Sequence, residues 1–362
     1  MKVAIVHDWL VTNAGAEKVL RAILDLYPNA DVFSLVDFLN ERDRQMVLRG
    51  KYAKISFIQH LPLAKKYFRN YLPLFPRAIE SLDLSGYDLV ISSSWAVAKG
   101  VRKASNQLHI CYCHTPIRYA WDLYDEYTVH LSQPKKWIVQ KTLEYIREWD
   151  RATSHRVDHF VANSHFVRKR IERIYGRDAT VIYPPVDITK FTLYTQKEDY
   201  YVTASRLVPY KKTRLIVEAF NAMPDKKLIV IGDGEELAVL RAIGGPNISF
   251  LGYQEDAALV YYLQRAKAFV YAAIEDFGIA PIEAMACGTP VVALGIGGTA
   301  ETVIDGDSGV HFYEQSSRAI VEAVKRFERM YFCYTKVRQN SLRYTSFQEN
   351  FRKFVEAQCE NF

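Results

Sequence analysis

Disulfide chemistry has little to work with in this sequence. Five cysteines in 362 residues are an odd number without framework spacing, which excludes a stapled secreted scaffold and implies reduced thiols. Cys111-Tyr112-Cys113-His114 has the residue types of a metal cluster, but no second pair stands at zinc-site spacing, so these read as strand cysteines beside an unrelated histidine. The opening stretch, Met1 to Asp8, meets an acidic residue after four apolar positions, too few for a signal-peptide core or a membrane span. It reads as a first buried strand, and a cytoplasmic location is expected. Repeats and low-complexity segments are lacking. So is a G-x-G-x-x-G fingerprint after the first strand, which argues against a dehydrogenase. No nucleic-acid recognition motif accompanies the modest net charge of +6, which argues against a nucleic-acid partner.

What is present is an ordinary globular composition on a chain long enough for two domains. The charge is uneven. Residues 1–190 hold 28 Lys/Arg against 20 Asp/Glu and the remainder 19 against 21, so the basic half is expected to face an acidic partner. Short apolar runs at Val3–Val6, Asp31–Leu35, Leu89–Ser92 and Leu108–Cys111 read as buried strands separated by amphipathic stretches, the pattern of a parallel sheet wrapped by helices. The pattern resumes at Tyr201–Thr203, Leu228–Ile231, Ile248–Leu251, Ala268–Tyr271 and Val291–Leu294, predicting a second doubly wound α/β domain. Pro184-Pro185 forbids helix and ladder pairing and precedes the polar Thr195–Glu198. The expected domains are therefore 1–192, 193–345 and a terminal helix, 346–362, that packs back on the first.

Four constellations carry candidate chemistry. In Glu275-Asp276-Phe277-Gly278-Ile279-Ala280-Pro281-Ile282-Glu283, a strand ends in an acidic turn that Gly278 loosens, and a helix begins near Pro281 with N–H groups able to hold an anion. Glu275 falls on the loop and Glu283 inside the helix, where carboxylates can accept paired hydroxyls of a sugar and a ribose; two surface glutamates are the alternative. Ser205-Arg206-Leu207-Val208-Pro209-Tyr210-Lys211-Lys212 follows the first strand of the second domain, at the sheet edge where ligands bind. Arg206 and Lys211 there can neutralise a diphosphate, although a solvated basic turn has the same composition. Asn13-Ala14-Gly15-Ala16-Glu17 starts a helix after the first strand, and Gly15 would let amides approach a phosphate. His114-Thr115-Pro116 ends a strand of the first domain and places an imidazole at its crevice mouth.

Together these segments resemble the retaining glycosyltransferases of family 4, with the GT-B fold, over nearly the whole chain. The resemblance rests on Glu275-x7-Glu283, Ser205 to Lys211, Ile231-Gly232-Asp233-Gly234-Glu235 and Gly297-Gly298-Thr299-Ala300-Glu301, in family order. It implies two Rossmann-like domains facing across a cleft. It also implies that Arg206 and Lys211 grip the donor diphosphate and that Glu283 takes the ribose. Glu275 with the backbone of Phe277, Gly278 and Ile279 would orient the sugar, and His114 would touch that sugar. Glu275, His114, Arg206 and Lys211 are then the catalytic set. The sequence departs from the family at Ala14, where a second glycine is common, at Asp276, and at Lys212, where glycine often follows the lysine.

No second carboxylate is placed to form a covalent sugar intermediate, which favours front-face substitution. The family generally needs no metal, and Asp305-Gly306-Asp307, the one D-x-D, reads as a turn, so metal independence is expected, with no cofactor. Glu255, in Gly252-Tyr253-Gln254-Glu255-Asp256, can accept from two guanine donors where uracil offers one. That feature, with a likeness to bacterial mannosyltransferases of O-antigen assembly, points to GDP-mannose, the alternatives being a UDP-sugar donor or a nucleotide-sugar epimerase. The acceptor expected is a lipid-linked (polyprenyl-diphosphate) saccharide. Lys65, Lys66, Arg69 and Arg77, set among aromatics, form a candidate contact with an anionic membrane, and Lys135, Lys136, Trp137 and Lys141 a second; core aromatics flanked by solvated lysines are the alternative.

Overall fold

The structure is a computed structural model that describes residues 1–122 and 132–362. It divides into two compact units, Met1–Pro185 with Phe347–Phe362, and Val186–Ser346.

The first unit is built on a sheet of β1 (Val3–His7), β2 (Asp31–Ser34), β3 (Lys54–Ile55), β4 (Leu89–Ser94), β5 (Leu108–Cys113), β6 (His159–Ala162) and β7 (Ala179–Val181), in the order 3-2-1-4-5-6-7 with every pairing parallel. All five residues of β1 are buried, as a strand covered on both faces requires. Side chains alternate across it. Ala4 and Val6 join a layer with Phe68, Phe75 and Ile79, whereas Ile5 joins a layer with Val19, Ile23 and Ile91. The strands of this sheet absent from the sequence reading, β3, β6 and β7, are two to four residues long, and β6 begins at half-buried His159, so none offers an apolar run as long as Val3–Val6.

The terminal helix, Phe347–Glu360, belongs to this unit, as the phasing of its apolar residues requires. Phe347, Phe351 and Val355 fall four apart on one face and are buried in the layer that holds Ile5, Val19 and Tyr112. Each such side chain stabilises by roughly 1.5–3 kcal/mol on burial.

The second unit repeats the plan with β8 (Tyr201–Ala204), β9 (Leu228–Ile231), β10 (Ile248–Gly252), β11 (Ala268–Tyr271), β12 (Val291–Leu294) and β13 (Gly309–Phe312), ordered 10-9-8-11-12-13 and parallel throughout. It begins at Val186 and not at 193. The stretch after Pro185 is tied to this unit: Val186, Ile188 and Phe191 are buried, Arg338 donates to the Phe191 carbonyl at 2.5 Å, and Lys190 pairs with Asp256 at 2.8 Å. In each sheet the strand order reverses direction beside the first strand, at β1/β4 and at β8/β11. Those reversals open crevices at the carboxyl ends, where ligands of such sheets bind.

Candidate active site

At the carboxyl edge of the second unit, the chain leaves β8 through Ser205–Val208 into a short turn, Pro209–Lys211, that ends on Lys212 in the left-handed region (φ 56°). That is the conformation glycine would adopt most readily, and Lys212 adopts it here. The reversal carries Lys211 over to the end of β11. Its ammonium forms an ion pair with Glu275 and lies 3.1 Å from the Tyr271 hydroxyl, which itself donates to Glu275 Oε1 at 2.9 Å. Burial, the largest single influence, works against the Lys211 ammonium, but the Glu275 carboxylate together with the Tyr271 and Tyr210 phenols outweighs it and holds the group above the usual lysine value. Burial and the same carboxylate push the Tyr271 phenol up. Lys211 is therefore a fixed cation already paired with Glu275. Arg206 is exposed, and its guanidinium makes no hydrogen bond or ion pair among the described residues.

The loop that carries Glu275 is held by backbone. The Glu275 carbonyl accepts from Gly298 N–H at 2.7 Å, and Glu275 bridges Gly297. A Cβ at Gly298 would meet the Phe277 backbone at 2.4 Å, so only glycine allows this approach. The Phe277 ring is buried edge-on to Tyr344. Gly278, at φ 91°, starts the helix Ile279–Ala286, two residues earlier than Pro281. Glu283 lies within this helix. Together with Ala204, Ser205, Ile231, Gly232, Leu259, Leu263, Phe269 and Ala280, it lines a cavity of about 180 Å³. Gly232 has φ 133°, and a Cβ there would overlap the Ser205 carbonyl at 1.9 Å, so the cavity depends on this contact between two loops. Glu255 precedes the helix Asp256–Arg265, exposed and without a side-chain bond capping that helix. Asp305–Gly306–Asp307 forms a turn in which Arg326 grips Asp305 at 3.0 and 2.9 Å and His311 N–H donates to it, a structural fastening.

At the carboxyl edge of the first unit, His114 follows β5. Its Nε2 lies 2.8 Å from Ser93 Oγ, near the end of β4, and Ser93 Oγ lies 3.1 Å from Nδ1 of His7, the last residue of β1. Burial, and to a lesser degree the neighbouring His7, hold His114 down to about 3. His114 is thus a neutral hydrogen-bonding group near pH 7. The Asp8 carboxylate stiffens this edge by accepting four backbone N–H groups, from Trp95, Ala96, Val97 and Ala98, at 2.6 to 2.9 Å. Cys111 and Cys113 are buried in a separate apolar cluster, on the face of β5 away from Tyr112.

Gly15 is the first residue of the helix Gly15–Leu26 and does not use a positive φ. The Ala14 N–H at that helix start is taken by the buried carboxylate of Glu17 at 3.0 Å, so a protein anion occupies part of the position expected for phosphate.

The basic segment divides into two faces. Phe68, Phe75, Ala78 and Ile79 are core, whereas Lys65, Lys66, Arg69 and Arg77 are exposed beside Leu63, Tyr67 and Leu74. In the helix Gln133–Thr153, Trp137 and Ile138 are exposed near Lys135, and Lys141 pairs with Glu144. Among the described residues no helix is long and apolar enough to cross a membrane.

Sequence reasoning missed Tyr271, Ser93, His7 and Glu17. The available signal was polarity at strand ends: His7 closes an apolar run, Ser92-Ser93-Ser94 closes another, and Tyr271 stands four residues before Glu275.

Two family models match consecutive parts of the chain, Glycosyltransferase Family 4 over residues 15–190 and Glycosyl transferases group 1 over residues 187–344. A GDP-mannose-dependent monoacylated alpha-(1-6)-phosphatidylinositol monomannoside mannosyltransferase of Corynebacterium glutamicum is 31% identical over 179 residues, 41% of this chain and 47% of that protein. A D-inositol 3-phosphate glycosyltransferase of Mycobacterium sp. is 29% identical over 42% of this chain and 40% of its own length. The chain thus spans under half the length of these two relatives. The O-antigen chain mannosyltransferase RfbU of Salmonella typhimurium is 24% identical over 66% of this chain and 70% of its own. Among solved structures, Anabaena HepE in complex with UDP and glucose covers 99% of this chain and 100% of its own at 18% identity and TM-score 0.70. The sucrose-phosphate synthase of Thermosynechococcus elongatus covers 100% of both chains at 17% identity and TM-score 0.73. At these identities the likeness establishes the fold.

Proposed function

We propose, from the premise that this chain belongs to the family 4 glycosyltransferases with the GT-B fold, that it moves mannose from GDP-mannose onto a hydroxyl of a lipid-linked saccharide, with retention at the sugar carbon and without a metal. The observation that carries the transferase reading is the Lys211–Glu275–Tyr271 cluster at the β8/β11 reversal, beside the helix start at Gly278 and the cavity lined by Glu283. A cation, a helix start and a carboxylate meet there at one sheet edge, and a nucleoside diphosphate-sugar needs a group of each kind.

In this reading Arg206 and Lys211 stabilise the departing diphosphate and Glu283 takes the ribose. Glu275 and the Phe277-Gly278-Ile279 backbone orient the sugar, and His114 is assigned to that sugar as a neutral hydrogen-bonding partner. The bond to the diphosphate breaks with oxocarbenium character. The acceptor's proton passes to a leaving-group oxygen while its hydroxyl oxygen attacks from the same face, so no enzyme carboxylate joins the sugar. Gly15 has the least support as a phosphate contact, because Glu17 already engages that helix start.

The mannose assignment draws on two relatives that are named mannosyltransferases. GDP as the nucleotide draws on Glu255. A UDP-sugar donor is the second reading, favoured by HepE, whose structures hold UDP and UDP-glucose. Competition by GDP and UDP against donor binding separates the two, and tighter UDP binding ends the first. Release of nucleoside diphosphate only when acceptor is present is the test of transfer itself. The exposed Leu63, Tyr67 and Leu74 with Lys65, Lys66, Arg69 and Arg77 support a peripheral contact with anionic lipid, where the acceptor would lie. Flotation with anionic vesicles reads this out, and absence of binding removes the membrane contact alone.

A further inference from the structure

We propose that Glu17, His7 and Ser93 form a relay that sets the tautomer of His114, with the proton on Nε2 and a bare lone pair on Nδ1, so that His114 acts as a hydrogen-bond acceptor. The inference starts from three strand ends and one helix start in the first unit. Glu17 Oε1 lies 4.0 Å from His7 Nε2, His7 Nδ1 lies 3.1 Å from Ser93 Oγ, and Ser93 Oγ lies 2.8 Å from His114 Nε2. His7, Ser93 and Glu17 are buried. His7 Nε2 has no hydrogen-bond partner, which leaves the Glu17 carboxylate as the charge it faces. The Asp8 carboxylate also acts electrostatically on His7, but its oxygens are directed at four backbone N–H groups, and the carboxylate oxygen within 4.0 Å of His7 Nε2 is that of Glu17.

A neutral imidazole carries one N–H and one acceptor nitrogen, and a serine hydroxyl donates one proton while its oxygen accepts others. With His7 neutral, the Glu17 carboxylate favours the N–H on His7 Nε2, which leaves Nδ1 as an acceptor. The Ser93 hydroxyl must then donate to His7 Nδ1. Its oxygen is left to accept, and the group within reach is His114 Nε2–H. The polarity of each link is dictated by the one before it, and the chain ends with a lone pair on His114 Nδ1. That nitrogen has no partner among the described residues, and His114 is half-buried, so the lone pair is open to a hydroxyl. Ring orientation is fixed by packing. Trp95 meets the His7 and His114 rings edge-on, at centroid distances of 4.8 and 5.7 Å, and Tyr112 meets His114 at 5.2 Å. Ser93, His7 and Glu17 are on this account positioning residues, and their bearing on transfer rests on the reading that His114 meets the donor sugar.

The test is the long-range ¹H–¹⁵N spectrum of the full chain labelled at histidine, which reports the protonated nitrogen of each ring. His114 should carry its proton on Nε2. Ser93→Ala and Glu17→Gln should both move it toward the Nδ1–H form, and Ser93→Thr, which keeps the hydroxyl, should not. Transfer by Ser93→Ala should fall about tenfold in kcat, one hydrogen bond's share, with donor KM little changed and the rate restored in Ser93→Thr. A wild-type His114 protonated on Nδ1, or a tautomer unchanged in Ser93→Ala or Glu17→Gln, overturns the relay. Should Ser93→Ala not fold, the wild-type and Glu17→Gln spectra still decide it. The two layers separate cleanly: full activity in His114→Ala beside the expected spectra would sink the donor-contact reading and leave the tautomer relay standing.

Discussion

The two sheets share a strand order but arm their carboxyl edges in opposite ways. In the second unit the edge carries formal charge: Lys211 and Glu275 neutralise each other, Tyr271 bonds to both, and Arg206 stands exposed. In the first unit the edge is built on hydrogen bonds, with Ser93 joining His7 to His114 and the Asp8 carboxylate accepting four backbone N–H groups. On the proposed reading, one edge holds a diphosphate and the other meets hydroxyl groups. Burial explains the contrast. A charge held at a dry edge needs a partner, and Lys211 has one, whereas a buried imidazole without a counter-charge becomes neutral, as His114 does.

This contrast can be broken in graded ways. The largest effect should come from Phe351→Ala, which empties a fully buried site where the terminal helix meets the first sheet. A loss of about 3–5 kcal/mol is expected, and calorimetry should show the first unit's transition moving down while the second stays in place. Lys211→Ala should lower kcat for transfer by about 10²–10³, the usual cost of removing one donor aimed at developing charge, with little change in melting of the first unit. Near-normal turnover would detach the charged edge from the chemistry. Glu275→Gln sharpens the point, since it releases Lys211 from its partner. Isothermal titration should find nucleoside diphosphate bound roughly tenfold tighter, one charge-assisted bond, even as transfer falls.

Two histidines of the first unit make a prediction about acid. Burial holds His109 down to about 4 and His114 to about 3, against an ordinary value of about 6.5. Between those limits the unfolded chain binds protons that the folded chain refuses. The stability these groups contribute is therefore complete above about pH 6.5 and is lost as pH falls toward 4 and then 3. His109→Gln should flatten the acid side of the stability profile measured by urea unfolding, and an unchanged slope would contradict the burial argument. The smallest expected effect is none at all: excess chelator should leave transfer intact, and activity restored only by a divalent ion would reverse the metal-free reading.

Much of the architecture was legible because buried parallel strands announce themselves as apolar runs, as at Val3–Val6, Leu228–Ile231 and Val291–Leu294. The turn chemistry was also local. Gly278 at φ 91° starts the helix that contains Glu283, and Glu275 sits on the preceding loop. Short edge strands such as β3 escaped because two residues make no pattern. The phosphate role expected at Gly15 met an obstacle that the spacing did contain, since Glu17, three residues on from Ala14, folds back onto its N–H as a capping-box glutamate. The segment after Pro185 looked like a linker from its prolines, and its attachment to the second unit came through Arg338, far along the chain.

By itself, the order of residues determined what short-range physics controls: which runs are buried strands, where glycine must turn the backbone, and which face of the terminal helix is apolar. Tertiary structure alone decided which polar groups answer one another. Lys211 and Glu275 are 64 residues apart and meet because β8 and β11 are neighbours, and His7 reaches Ser93 across 86 residues because β1 lies beside β4. Whether a lysine is a solvated charge or a paired one, and on which nitrogen a histidine keeps its proton, depends on what strand order places within about 3 Å, a distance no local pattern encodes.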